Sequence, residues 1–212
     1  MSSFVADSLN KKSYQKQPMS ILDTSFWTER YEKGHTGWDI GMASPPLIEF
    51  CKPLKKDVRV LIPGAGNAYE YKALKDLGFT DVTVLDISPN PIEKLKSEFP
   101  ESENDFILGD FFEHDNSYDL ILEQTFFCAL EPRFRPRYVE HMHHLLRGSK
   151  GILCGVLFSR EFEKQGPPFG GTKEEYHALF ADSFIIEKME PCYNSIPPRA
   201  GSELFIRLKP KG

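Results

Sequence analysis

Two glycines, two carboxylates and a glutamine carry the clearest chemical signal in this chain. Gly64 and Gly66 lie in Leu61-Ile62-Pro63-Gly64-Ala65-Gly66, at the end of an apolar run that begins at Val58. Asp86 closes a second apolar run, 22 residues after Gly64. A strand that turns through glycine into a helix brings backbone close to a ligand and faces it with unpaired N–H groups. A carboxylate at the end of the next strand can accept both hydroxyl hydrogens of a ribose. The unit therefore reads as a site for a nucleoside-bearing cofactor. It departs from the dinucleotide fingerprint, because its third small residue is Ala68 and the second strand runs straight into Ser88-Pro89-Asn90-Pro91. S-adenosylmethionine, which has no pyrophosphate, needs less of a glycine cradle than a nicotinamide dinucleotide does.

Further candidates lie beyond the next two apolar runs. In Gly109-Asp110-Phe111-Phe112, Asp110 is placed to meet a polar adenine edge and Phe111 to supply an apolar wall. Glu123-Gln124-Thr125 puts polar groups where open sheets form ligand crevices. Gln124 is the cofactor candidate, while Glu123 reads equally well as a hydrogen-bond partner that stabilises the fold. Phe126, Phe127, Cys128, Ala129 and Leu130 suit a small apolar pocket, with Cys128 lining it rather than attacking. Trp27, Tyr31 and Trp38 fit either a cover over adenosine and a cation or an aromatic core.

Other clusters read as structural. His141, His143 and His144 lack cysteine or carboxylate partners at metal-binding spacing, and Arg133, Arg135 and Arg137 suit ion pairs or a solvated face better than RNA. Phosphate-loop and nucleophile-elbow motifs are absent from the sequence.

The elements that must hold these residues alternate between strand and helix. Strands are expected at 58–62, 82–85, 106–108, 120–122 and 152–158, with helices after the first two, over 136–146 and over 173–180. Runs at 184–189 and 204–208 suggest an antiparallel pair closing an otherwise parallel sheet. Residues 1–20 are polar and weakly periodic and are expected to form a flexible extension; 21–212 are expected to form a single domain. A short helix should be capped by Asp23, Thr24 or Ser25 and stop at Gly34. Pro/Gly-rich stretches at 166–171 and 197–201 read as loops on the active face.

At 212 residues the chain can bury its own core without metal or disulfide staples. Its 31 acidic and 26 basic residues, net −5 with no long basic run, disfavour nucleic acid as a partner. Four scattered cysteines suit buried reduced thiols, and no stretch of 18 apolar residues could cross a bilayer. A soluble, cytoplasmic monomer is the expectation.

Several separated motifs together resemble the thiopurine S-methyltransferase family, including its thiol and halide methyltransferase relatives. They are Trp27 with Gly37-Trp38-Asp39, Leu61 to Gly66, Leu85-Asp86-Ile87-Ser88, Gly109 to Phe112, and Gln124-Thr125-Phe126-Phe127-Cys128-Ala129-Leu130. The resemblance spans Phe26 to Leu208 and implies a class I methyltransferase fold, a mostly parallel seven-stranded sheet with a terminal antiparallel strand and an N-terminal helical cover. It implies S-adenosylmethionine as methyl donor, held by Trp27, Trp38, Ile62, Gly64, Gly66, Asp86, Ile87, Asp110, Phe111 and Gln124. Candidates on the acceptor side are Tyr31, Trp38, Phe126, Phe127, Cys128, Phe169 and Arg199. A small thiol, a halide or a chalcogen oxyanion is the implied acceptor, with no metal. Tyr31 stands where some relatives have Trp, and Glu123-Gln124 stands where plant halide enzymes can have Asp-Tyr, so methyl transfer is better supported than any one acceptor. A domain that binds cofactor without turnover is the main alternative, followed by a nicotinamide oxidoreductase.

Overall fold

The computed structural model describes residues 22–146, 148–164 and 166–212; the expected flexible stretch 1–20 lies outside the described residues. Among the described residues, seven strands form one sheet: β1 (Arg59–Pro63), β2 (Asp81–Asp86), β3 (Phe106–Leu108), β4 (Leu120–Gln124), β5 (Ile152–Phe158), β6 (Phe184–Pro191) and β7 (Glu203–Pro210). Their order is β3-β2-β1-β4-β5-β7-β6. Neighbours from β3 to β5 are parallel, while β7 runs antiparallel to both β5 and β6. The terminal pair is therefore antiparallel as expected, but β7 is inserted between β5 and β6, and β6 forms the edge.

Strand alternation sends side chains to two cores. Val60 and Ile62 of β1 pack with Leu47, Tyr71 and Leu95, which come from α2 (Pro45–Cys51), α3 (Tyr69–Asp76) and α4 (Pro89–Glu98). Leu61 faces the other side, in the cluster holding Tyr138 and Met142 of α5 (Arg135–Leu145) and Phe180 of α6 (Lys173–Ala181). The helix α4 begins at Pro89, three residues before the apolar run that signals it, because prolines in a first turn give up only N–H groups that have no helical partner. Cys51, Cys128, Cys154 and Cys192 are all buried free thiols. Among the described residues no helix is long and apolar enough to cross a membrane.

The order of strands reverses at the neighbouring pair β1 and β4, and loops leaving their C-terminal ends diverge to opposite faces. That divergence opens a crevice outside the strand ends. The first helix, α1 (Thr24–Glu32), has no buried residue and lies beside it. Asp23 caps α1 by accepting the Phe26 N–H at 3.1 Å, and the Thr28 and Ser88 hydroxyls meet at 3.2 Å to tie α1 to the start of α4.

Gly155 in β5 is a packing requirement. A Cβ there would sit 2.5 Å from the Cβ of Glu123 and 2.9 Å from its carbonyl oxygen on the neighbouring strand. Gly155→Ala should therefore destabilise the protein by about 1–3 kcal/mol, measured by denaturant unfolding. An unchanged midpoint would show that β4 and β5 can move apart freely.

Candidate active site

The crevice is a cavity of about 1000 Å³, and its floor is the turn from β1 into α3. Gly64 takes φ +72° and donates its N–H to the Leu85 carbonyl at 2.8 Å. A side chain at Gly64 would meet the Phe126 ring at 2.8 Å, so both the backbone angle and the space require glycine. Ala68, the third small residue, caps α3 in the left-handed region at φ +46° with no side-chain bond of its own. Asp86 ends β2 against this turn and is 8% exposed. Its carboxylate accepts the Ser88 N–H at 2.8 Å, and burial pushes its pKa up to about 6. Asp110 accepts the Phe112 N–H at 2.8 Å, which turns the chain after β3 and sets Phe111 edge-on to Phe126, ring centres 5.0 Å apart.

The end of β4 forms the opposite wall. Glu123 is fully buried; one carboxylate oxygen accepts the N–H groups of Phe126 and Phe127 at 2.9 and 2.8 Å, and the other accepts the Tyr138 hydroxyl at 2.7 Å. Those three bonds hold Thr125 at φ +61° and resolve the reading of Glu123: it braces the turn. Gln124 then lines the cavity with a buried side-chain oxygen that has no hydrogen-bond partner. An orphan acceptor on a cavity wall is what a ligand with N–H or O–H donors would satisfy. Cys128 also lines the cavity; burial pushes its thiol up to about 12, so it stays protonated and is not an attacking thiolate.

Aromatic rings cover the opening. Trp38 meets Trp27 and Tyr31 edge to face, with ring centres 5.6 and 5.4 Å apart. Burial pushes the Tyr31 hydroxyl pKa well up, so it stays neutral. Arg199 holds this cover from beneath. Its guanidinium donates to the Trp38 carbonyl at 2.9 Å, pairs with Glu203 at 3.3 Å and lies over the Phe158 ring at 5.2 Å.

Of the residues singled out from sequence, Trp27, Tyr31, Trp38, Ile62, Gly64, Gly66, Asp86, Ile87, Asp110, Phe111, Gln124, Phe126, Cys128 and Arg199 line this one cavity. Phe127 and Phe169 do not. Phe127 turns into the core against Tyr138, Tyr176 and Phe180, because the Glu123 brace points its backbone that way. Phe169 meets the site only through its backbone, donating its N–H to the Cys128 carbonyl at 2.7 Å.

Glu70, Arg137 and Arg160 also line the cavity; sequence reasoning passed over Glu70 and Arg160 and read Arg137 only as an ion-pairing or solvated residue. Arg135 is not solvated: it is buried, donates to the carbonyls of Phe169 and Gly170 at 3.3 and 2.9 Å, and so ties down the loop beside the cavity. His143 bonds the Lys211 carbonyl, His144 bonds Asp115, and the His141 ring abuts Phe111. Among the described residues no group of three or more His, Cys, Asp or Glu could hold a metal ion.

A family model described as thiopurine S-methyltransferase matches residues 22–204. A probable thiol methyltransferase 2 of Arabidopsis thaliana is 31% identical over 90% of this chain and 87% of its own length. Thiocyanate methyltransferase 1 of Brassica oleracea is 29% identical over 86% of this chain and 84% of its own. Among solved structures, the 1,6-didemethyltoxoflavin-N1-methyltransferase of Burkholderia thailandensis superposes with a TM-score of 0.73 at 20% identity, covering 93% of this chain and 94% of that one. That likeness is one of fold.

Buried carboxylates, Asp86 and Glu123 among them, make stability depend on pH. Burial raises Asp86 to about 6 and Glu123 to about 7, both above ordinary carboxylate values. Between those ordinary values and the raised ones the folded chain binds more protons than the unfolded chain. Stability of the ligand-free protein should therefore fall as pH rises from about 4 to 7, with a Glu123 contribution on the order of 1–3 kcal/mol. Glu123→Gln keeps the amide oxygen as acceptor for the two N–H groups and should flatten the slope, as followed by unfolding at several pH values. An unaltered slope would place the proton uptake elsewhere.

Proposed function

The chain belongs to the thiopurine S-methyltransferase family and transfers a methyl group from S-adenosylmethionine to a small soft nucleophile, and on that premise we propose that the acceptor is an organic thiol attacked from its thiolate form. The observation that carries the choice of acceptor is the cavity. Its volume of about 1000 Å³ takes a nucleoside-bearing donor and a second molecule together, and a halide ion would leave most of the remainder unfilled. Phe112, Phe134, Phe158 and Phe162 give that remainder an aromatic wall, and Arg137 and Arg160 give it cationic side chains. Aromatic faces and guanidinium groups suit a polarisable anionic sulfur on an organic frame.

When bound, S-adenosylmethionine supplies a sulfonium methyl group that a soft nucleophile displaces in line. In this reading Asp86 accepts from the ribose hydroxyls, Asp110 and Phe111 flank the adenine, and the Gln124 oxygen, orphaned in the free chain, accepts from the donor. Gly64 and Gly66 let the backbone come close, with Ile62 and Ile87 as apolar walls. Trp27, Tyr31 and Trp38 close over the sulfonium and shed water from it, which strengthens the attraction between cation and ring faces. Phe126 and the neutral Cys128 thiol border the acceptor. A thiolate arrives already deprotonated, so the site works by alignment and exclusion of water rather than by proton transfer.

Two measurements test this. With labelled S-adenosylmethionine, kcat/KM across thiols, thiocyanate, iodide and selenite should favour thiols by about tenfold or more, a gap of about 1.4 kcal/mol in transition-state binding. The reverse order would assign the site to halides, and binding of S-adenosylhomocysteine without transfer to any acceptor would leave a binding domain. Asp86→Ala should weaken S-adenosylhomocysteine binding about 10- to 100-fold by calorimetry, with an unchanged circular dichroism spectrum. Unaltered affinity would remove Asp86 from the ribose.

A further inference from the structure

Glu70 is a buried acid that the cofactor and acceptor contacts described above leave unexplained. It stands in the first turn of α3, is 7% exposed, and nevertheless lines the cavity beside the glycine turn. The bond seen at its carboxylate comes from the Ser44 N–H at 2.8 Å. No cation pairs with it within 4 Å among the described residues. Arg199 is close enough for its charge to be felt, yet its guanidinium is committed to Glu203 and to the Trp38 carbonyl.

A buried carboxylate without a cation is costly, and breaking a buried pair by removing one partner typically costs several kcal/mol. Burial pushes the Glu70 pKa up, the direction expected of a carboxylate that lacks a counter-charge. The cost disappears if a cation arrives with the ligand. The family's donor carries an amino-acid tail, and the floor of the cavity at Gly64, Gly66 and Glu70 is continuous with the wall that holds Asp86.

We propose that Glu70 is the counter-ion of the α-ammonium group on the methionine tail of the bound donor. The assignment rests on the cofactor reading above and gives the two carboxylates different roles. Asp86 recognises the hydroxyls of the sugar, and Glu70 recognises the charge at the other end of the ligand. Ser44, the last residue before α2, contributes by fixing one carboxylate oxygen through its N–H, which holds the Glu70 side chain in place at the cavity wall. Glu70 thereby also couples the end of the cover loop to the occupancy of the donor site.

Calorimetry with three ligands tests it: S-adenosylhomocysteine, its deaminated analogue in which hydrogen replaces the ammonium group, and 5′-methylthioadenosine, which lacks the whole tail. The wild-type protein should bind S-adenosylhomocysteine about 10- to 100-fold more tightly than the deaminated analogue. Glu70→Gln should erase that preference while leaving the affinity for 5′-methylthioadenosine unchanged. Equal loss for all three ligands would mean that Glu70 only shapes the site through Ser44, and would overturn the proposal. So would a preference that survives in Glu70→Gln. The wild-type comparison needs no variant to fold, and equal affinities there also overturn it. A wild-type protein that binds none of the three would instead sink the cofactor reading on which the proposal stands.

Discussion

The cavity depends on a carboxylate that never reaches it. Glu123 sits at the end of β4 with both oxygens used: two backbone N–H groups converge on one, and the Tyr138 hydroxyl binds the other. Each of these bonds contributes about 0.5–1.5 kcal/mol, and the three together offset the cost of about 1–3 kcal/mol of a non-glycine residue in the left-handed region at Thr125. The turn so held decides which side chain goes where. Gln124 and Phe126 face the cavity, Phe127 faces the core, and the Phe126 ring is carried to the space left by the missing side chain of Gly64. On the far side, Gly155 leaves room for the Glu123 stem. Two glycines, one in the turn after β1 and one in β5, thus serve one buried acid.

The rest of the site is assembled from segments distant in sequence. Arg199, from the loop before β7, reaches the backbone of Trp38 in the cover, 161 positions away. Arg135 at the start of α5 reaches the loop at Phe169 and Gly170. In both cases a guanidinium donates to main-chain carbonyls, so what is fixed is the path of a loop, and the pocket inherits its shape from the backbone rather than from the identity of the rings lining it. A lysine could match the charge but not the fork of donors.

Those long-range ties mark the limit of what is legible in the sequence. The strands and helices are readable because apolar periodicity and punctuation by Gly, Pro and Asp are local, and the glycine turn with Asp86 is readable because its spacing is set by one βα unit. The extent of α4 escapes such reading because its prolines look like a break when they are a beginning. Phe127 is misplaced because Phe126 and Phe127 are the same residue type in adjacent positions, and only the three-bond brace tells them apart. Arg135 reads as one member of an exposed basic cluster; nothing near it in sequence says that its partners lie 34 and 35 residues on. Glu70 looks like any helix-starting acid, and its burial comes from α2 and the cover loop closing over it.

The insertion of β7 between β5 and β6 bears on how the chain acquires this structure as it is made. Among the described residues β6 has β7 as its sole neighbour in the sheet, and β7 in turn is the link to β5. When β6 emerges from the ribosome its native neighbour is missing, because the strand that must lie between it and β5 is still to be synthesised. The parallel part, β1 to β5, can close earlier around its helices. The latch Arg199 lies just before β7 in sequence, so the cover is tied down only in that last step. A nascent chain therefore holds a finished floor and an unlatched roof until the final hairpin slides in, and the order of synthesis sets the moment at which the site becomes competent.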